Sequence, residues 1–273
     1  MRKATLADSY VPERRIPPSE LPETLIAEGR YWATASELTA LMGNTPSAMR
    51  QAIARLRHQR RLFSPARGLY VMVPPEYRSL GAVPGEWFID AMMKHLERSY
   101  YVSFLTAAAM HGAAHQAPQT FQVITAKYLS DRDLGRVLLR FTTSNHVRDM
   151  AVEQRTAPTG YFTLATRETT VVDLVWHYRD GGGISNVATV IKEIGELDGD
   201  RLARLAPVRD RATVRRLGWL LEQYRPDVDP HWLHVVAMPD TGEPVLLSPS
   251  APRRGRIDKR WGVLVNTVVE PDV

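Results

Sequence analysis

Arg50 and Gln51 stand side by side in this chain of 273 residues. They are side-chain types that can hold a base edge through two parallel hydrogen bonds, arginine on guanine O6 and N7, glutamine on adenine N6 and N7. Three residues earlier, Ser47 is suited to a phosphate, particularly at a helix N-terminus where backbone N–H groups point outward. Between Arg50 and Arg67 there are six arginines and no carboxylate, so the local field is positive. Arg55, Arg57, His58 and Arg61 follow at spacings suited to neutralising a phosphate backbone, and Arg67 to reaching a minor groove or a phosphate.

Such residues act only if something rigid presents them. Thr34 opens a T-x-x-E capping box closed by Glu37, and Leu38, Leu41 and Met42 give the helix behind it one apolar face. Gly43-Asn44 breaks that helix. Thr45 caps the next, with Pro46 at the first helical position, where a missing N–H costs nothing. This second helix is expected to run to Arg61. Met49, Ala52, Ile53 and Leu56 share its apolar face, and Ser47, Arg50, Gln51, Ala54 and His58 lie opposite, flanked by Arg55 and Arg57. Leu62-Phe63, a Ser64–Gly68 turn and Leu69–Val73 read as a β-hairpin. Helix, turn, basic helix and hairpin make a winged helix-turn-helix. A solvated arginine-rich helix in a protein-docking domain is the plainer reading of the same residues. Periodicity, capping, hairpin and charge agree better with DNA.

The charge is unevenly placed. Residues 1–78 hold twelve Lys/Arg against seven Asp/Glu, and residues 79–273 hold 23 of each, so the whole net charge of +5 lies in the segment with the helix-turn-helix pattern. That asymmetry points to a polyanion partner at one end. Only five of the 35 basic residues are lysine, but the bias runs along the whole chain, where base composition of the gene explains it as well as function does. With no cysteine, disulfides and thiolate metal sites are excluded. No apolar run approaches the roughly 20 residues of a membrane span, and the first residues lack an apolar signal core. A cytoplasmic, non-membrane protein is expected.

Two domains are expected: a DNA-binding domain over 1–78, with 1–17 as a tail containing Arg14-Arg15, and an α+β domain over 79–273 with a small sheet and several helices. A first helix is expected over Ser19–Gly29 and another over Glu86–Arg98. Strands are expected at Phe121–Thr125, Val137–Phe141, Ala151–Gln154 and Tyr161–Leu164, and helices at Arg167–Tyr178, Ile184–Ile194, Asp200–Leu205 and Ala212–Tyr224. Catalytic patterns are weak here. His111 and His115 have the i,i+4 spacing of zinc helices, but no Glu follows the first and Gly112 breaks the helix. Asp131-Arg132-Asp133 resembles a magnesium D-x-D inside what reads as a capped loop. Gly181-Gly182-Gly183 lacks the strand and G-K-[ST] setting of a phosphate loop. No catalytic residue, metal or cofactor is expected. The rival is a nucleic-acid-processing enzyme targeted by the winged helix, with Asp131 and Asp133 holding magnesium.

Four stretches together resemble a known family. They are Gly68-Leu69-Tyr70 after the hairpin turn; Tyr100 to Gly112 followed by Gln116-Ala117-Pro118; Ala165 to Leu174; and Arg260-Trp261-Gly262-Val263-Leu264-Val265-Asn266. Their order and spacing resemble the AbiEi-type antitoxins, the regulator half of type IV AbiE toxin–antitoxin pairs, over nearly the full chain. The resemblance implies repression of the pair's own operon at inverted repeats in its promoter. It also implies a C-terminal domain that counters a nucleotidyltransferase-like toxin. Where the family commonly shows Pro-Glu-Arg-Thr, this chain has Thr166-Arg167-Glu168-Thr169. One winged helix reads one half-site, so a palindromic site takes two chains about one helical turn apart, each a monomer or weak dimer in solution.

Overall fold

The computed structural model describes residues 15–113, 118–237 and 243–271. By internal contacts these fall into two compact units. One holds the described residues up to 97 with 132–138 and 156–161; the other holds the rest. Most of the expected tail, residues 1–14, lies outside the described residues.

The first unit begins with α1 (Leu21–Ala27), β1 (Trp32–Thr34), α2 (Ala35–Met42) and α3 (Pro46–His58). A hairpin of β2 (Leu62–Ala66) and β3 (Leu69–Met72) follows, and α4 (Ile89–His95) comes after two 3-10 turns. The capping box has both arms: Thr34 Oγ1 accepts from Glu37 N at 3.3 Å, and the Glu37 carboxylate accepts from Thr34 N at 2.7 Å. Gly43, at φ 60, closes α2 in the left-handed conformation that glycine adopts at little cost. β1 pairs with β3 and β3 with β2, both antiparallel, in the order β1-β3-β2. Leu21 and Leu25 of α1, Leu38 and Leu41 of α2, and Ile53 and Leu56 of α3 are buried together. This apolar contact fixes the angle between the two helices of the turn.

α3 is shorter than its periodicity suggests. It ends at His58 because the chain closes it with a Schellman motif: Arg60 N donates to Arg57 O and Arg61 N to Leu56 O, each at 2.9 Å. The left-handed residue of that motif is Arg60 (φ 55) instead of the usual glycine, so no glycine marked the end of the helix in the sequence. The helix expected over Glu86–Arg98 is likewise shortened to α4, with Gly85–Trp87 as a 3-10 turn.

The second unit is mixed α and β. β4 (Tyr100–Val102) is buried along its whole length. α5 (Phe104–Met110), β5 (Thr120–Thr125), β6 (Arg132–Asp133), β7 (Leu138–Thr143), β8 (Val152–Ala157) and β9 (Gly160–Ala165) follow in sequence, of which β6, Leu138, the end of β8 and the start of β9 fall in the first unit. In the second unit the strand order is β7-β5-β4-β9-β8, with β4 antiparallel to β5 and parallel to β9. α6 (Arg167–Trp176) is buried from Glu168 through Val175, which is why its apolar positions read as a continuous run. α7 (Ile184–Glu193), α8 (Gly199–Leu205), α9 (Arg211–Tyr224) and α10 (His231–Ala237) complete the helices. A separate sheet joins β10 (Val245–Leu246), β12 (Val263–Val265) and β11 (Arg256–Asp258), with β10 parallel and β11 antiparallel to β12.

One polar cluster lies inside this unit. The fully buried Asp173 of α6 accepts from Tyr101 Oη at 3.0 Å and Ser103 Oγ at 2.8 Å, and its other oxygen accepts from the Arg209 guanidinium. Arg209 also donates to Ser144 Oγ at 3.1 Å and stacks 3.8 Å from the Trp176 ring centroid. Burial pushes the Asp173 carboxyl above the usual carboxylate range, although the Arg209 charge and the hydroxyl bonds pull against it. Among the described residues no helix is long and apolar enough to cross a membrane.

Candidate nucleic-acid interface

The exposed face of α3 is built from its N-terminus onward. Thr45 caps the helix by accepting from Ala48 N at 3.4 Å, Pro46 occupies the first helical position, and Met49, Ala52, Ile53 and Leu56 turn inward. Ser47, Arg50, Gln51, Ala54, Arg55, Arg57 and His58 are left exposed. The Ser47 hydroxyl lies 3.2 Å from that of Thr45, beside the free N–H groups of the first turn. Among the described residues Arg50, Arg55 and Arg57 have no ion-pair partner, and α3 contains no acid. Three exposed cations therefore stand on this face with no acid among the described residues to neutralise them.

Arg67 is brought to the same unit's surface by a two-residue turn, since Ala66 pairs with Leu69. Both backbone carbonyls of that turn are held. Gly68 O accepts from Ala35 N, the first residue of α2, at 2.8 Å. The Arg67 carbonyl lies 2.9 Å from His95 Nε2, which can only donate to it. The Arg67 side chain remains exposed, with no ion pair among the described residues. Gly68, at φ 81, supplies the left-handed residue this tight turn requires.

Arg61 takes a different place. Leaving the helix after the Schellman turn, its half-buried guanidinium binds both oxygens of Glu23 on α1 and the Ser19 carbonyl. Arg78 shares Glu23 from the other side. Burial would raise the Glu23 carboxyl, but the Arg61 bonds and the Arg78 charge hold it below its ordinary range. Arg61 thus staples α1 to the end of the α3 region. Sequence reasoning had no signal for this, because Glu23 and Arg61 are 38 residues apart.

The other chemically suggestive residues are engaged within their own folds. His111 ends α5 with Nε2 2.8 Å from the Ala165 carbonyl, and burial pushes its pKa down; His115 lies outside the described residues. Asp131 accepts from Phe141 N at 3.0 Å and Asp133 from Gly135 N at 2.9 Å, so the first carboxylate ties its loop to β7 and the second braces a turn. Among the described residues no three His, Asp or Glu side chains gather as a metal site. The triple glycine joins α6 to α7, with Gly183 N bonded to Tyr178 O at 2.9 Å.

In the Thr166–Thr169 stretch, Thr166 caps α6 and Glu168 is buried. Burial alone would raise the Glu168 carboxyl. Hydrogen bonds from Asp198 N and other donors, and the Arg201 charge, hold it below its ordinary range. A depressed folded-state pKa gives stability that is present above the unfolded value of about 4.3 and lost as the pH falls through the folded value. Glu168→Gln is therefore expected to be less stable than the parent at pH 7, with the gap closing below about pH 4. Thermal melts at the two pH values check this; a gap that does not change with pH would refute it.

Comparisons with known proteins bear on the chain as follows. The family model described as the AbiEi antitoxin C-terminal domain matches residues 101–223, from β4 to the last turn of α9. No curated protein matches the chain significantly. Among solved structures, the chain is similar to the crystal structure of the RV2827C protein from Mycobacterium tuberculosis. The two are 17% identical with a TM-score of 0.66, and the alignment covers 92% of each chain. A likeness at that identity shows a shared fold.

Proposed function

We propose that this chain, whose residues 101–223 match the AbiEi antitoxin C-terminal domain, is an AbiEi-type antitoxin and a sequence-specific DNA-binding autorepressor. The observation that carries the reading is the exposed face of α3, where Arg50, Arg55 and Arg57 stand beside Ser47 and Gln51 without counter-charges among the described residues. The first unit is a winged helix-turn-helix in this reading. α3 enters a major groove, where Arg50 and Gln51 read base edges and Ser47 meets a phosphate. Arg55, Arg57 and His58 neutralise the backbone, and Arg67 on the hairpin contacts backbone or minor groove. Arg61 is set aside from the contact set because Glu23 already holds it. The protein acts in the cytoplasm, two chains bind an inverted repeat in the promoter, and the toxin it counters is nucleotidyltransferase-like, as the family resemblance implies.

The test is binding of the purified chain to its own promoter fragment and to a scrambled fragment across a salt titration. Marked preference for the promoter with steep salt dependence supports the reading. Equal binding to both, or none at low salt, refutes it. Arg50→Ala is expected to cost roughly 1–3 kcal/mol on the promoter and to relax one base position, whereas Arg67→Ala weakens both fragments alike. Unchanged sequence preference in Arg50→Ala would show that α3 is oriented otherwise.

A further inference from the structure

A second concentration of positive charge lies far from α3 in sequence. Residues 253–260 read Arg-Arg-Gly-Arg-Ile-Asp-Lys-Arg, five cations and one acid in eight residues. The rest of the 79–273 segment then holds 18 bases against 22 acids, so this ridge is the positive pole of an otherwise acidic stretch. We infer that Arg254, Arg256 and Lys259 form a second binding site for the phosphate backbone of a nucleic acid, independent of α3.

The platform beneath these side chains is braced. β11 pairs with β12 through Arg256↔Val265, Ile257↔Leu264 and Asp258↔Val263. Gly255 lies so close to β12 that a Cβ there would sit 2.0 Å from the Val265 carbonyl oxygen, so glycine permits the approach. The one acid is spent internally, with Asp258 Oδ1 accepting from Trp261 N at 2.9 Å. Arg260 is bound to Glu222, and Arg253 pairs with Glu243 at 3.0 Å between two largely exposed side chains. That leaves Arg254, Arg256 and Lys259 exposed without an ion-pair partner among the described residues.

Two of the three are arginines, whose planar fork matches phosphate oxygens. Protein partners bind chiefly through buried aromatic and apolar anchors, and Ile257, 49% exposed, is the one large exposed apolar side chain on this strand. The chemistry favours a polyanionic backbone over an acidic protein.

The inference extends the DNA-binding reading to another surface, so the test separates the two. The full-length chain and an Arg50→Ala/Gln51→Ala variant are each compared with and without Arg254→Gln/Arg256→Gln/Lys259→Gln. The probes are a promoter-free DNA duplex and a single-stranded RNA of equal length, with the promoter fragment and its scrambled version measured beside them. All substituted side chains are exposed, and a thermal melt confirms that each variant folds. The ridge variant is expected to reduce the slope of log affinity against log salt by about two to three on at least one probe, in both backgrounds. Preference for the promoter over scrambled DNA should persist in the parent α3 background. Loss on the duplex alone or on the RNA alone identifies which backbone the ridge takes. Unchanged slopes on both probes overturn the inference, whatever the α3 substitutions do to promoter preference. Equal competition by poly-glutamate also overturns it, because an acidic protein chain would then be the better-matched partner.

Discussion

Arg209→Ala is expected to cost about 3–5 kcal/mol of unfolding free energy, enough to leave much of the chain unfolded at ordinary temperatures. The reason lies in the Asp173 it deserts. That carboxyl is 0% exposed, and Arg209 is the cation bound to it. Tyr101 and Ser103 would still donate to Asp173, but hydroxyl dipoles do not replace a charge, so the carboxyl would rise further in pKa and take up a proton. An acid whose folded-state pKa lies above its unfolded value loses stability as the pH climbs from about 3.9 towards the folded value. The defect in Arg209→Ala should therefore deepen as the pH is raised above the unfolded value of about 3.9, because its Asp173 carboxyl is pushed further up than the parent's. Denaturant melts at a series of rising pH values would show it. A loss under 1 kcal/mol that does not vary with pH would mean that water replaces the guanidinium. Asp173→Leu combined with Arg209→Met should recover most of the stability, because it removes both charges and leaves apolar groups in their place.

Gly218→Ala is expected to destabilise the chain by about 1–3 kcal/mol, although alanine is the better helix former by about 1 kcal/mol. Gly218 lies in the interior of α9, and a Cβ built there would fall 2.0–2.4 Å from three ring carbons of Trp261. The indole cannot move aside easily. Its Nε1 donates to Glu222 at 2.6 Å, its carbonyl accepts from Arg215 Nε at 2.7 Å, and the ring is 1% exposed. The measurement is a double-mutant cycle with Trp261→Leu. If the clash is the cause, Gly218→Ala should cost far less once the ring is gone. Additive losses would place the cause elsewhere.

What was legible in the sequence was the local part. The Thr34–Glu37 capping box, the Thr45-Pro46 start of α3, its apolar stripe and the hairpin are set by residues within a turn or two of one another, and each is present. The family resemblance was legible too, because Tyr100–Gly112 and Ala165–Leu174 carry recognisable runs, and both lie within or across the matched region. Non-local pairings were not. Glu23 and Arg61, Asp173 and Arg209, and Gly218 and Trp261 meet across 36 to 43 residues, and no periodicity announces them. The end of α3 was misjudged for a local reason, since Arg60 sits where a glycine would have signalled the stop. The 253–260 ridge was hidden in an average, its five cations cancelled by acids spread over the rest of the segment.

The hairpin turn, tied through Gly68 O to the start of α2 and through the Arg67 carbonyl to His95, has a thermodynamic consequence. A loop already fixed in the free protein has little backbone entropy left to surrender when a partner arrives. Association at this surface should then resemble rigid docking, with a heat-capacity change accounted for by buried area alone and no added contribution from folding. On the proposed DNA-binding reading, selectivity would come from how well a duplex conforms to a fixed shape, so that the stiffness of the DNA, and not only its base edges, would decide which sites are occupied.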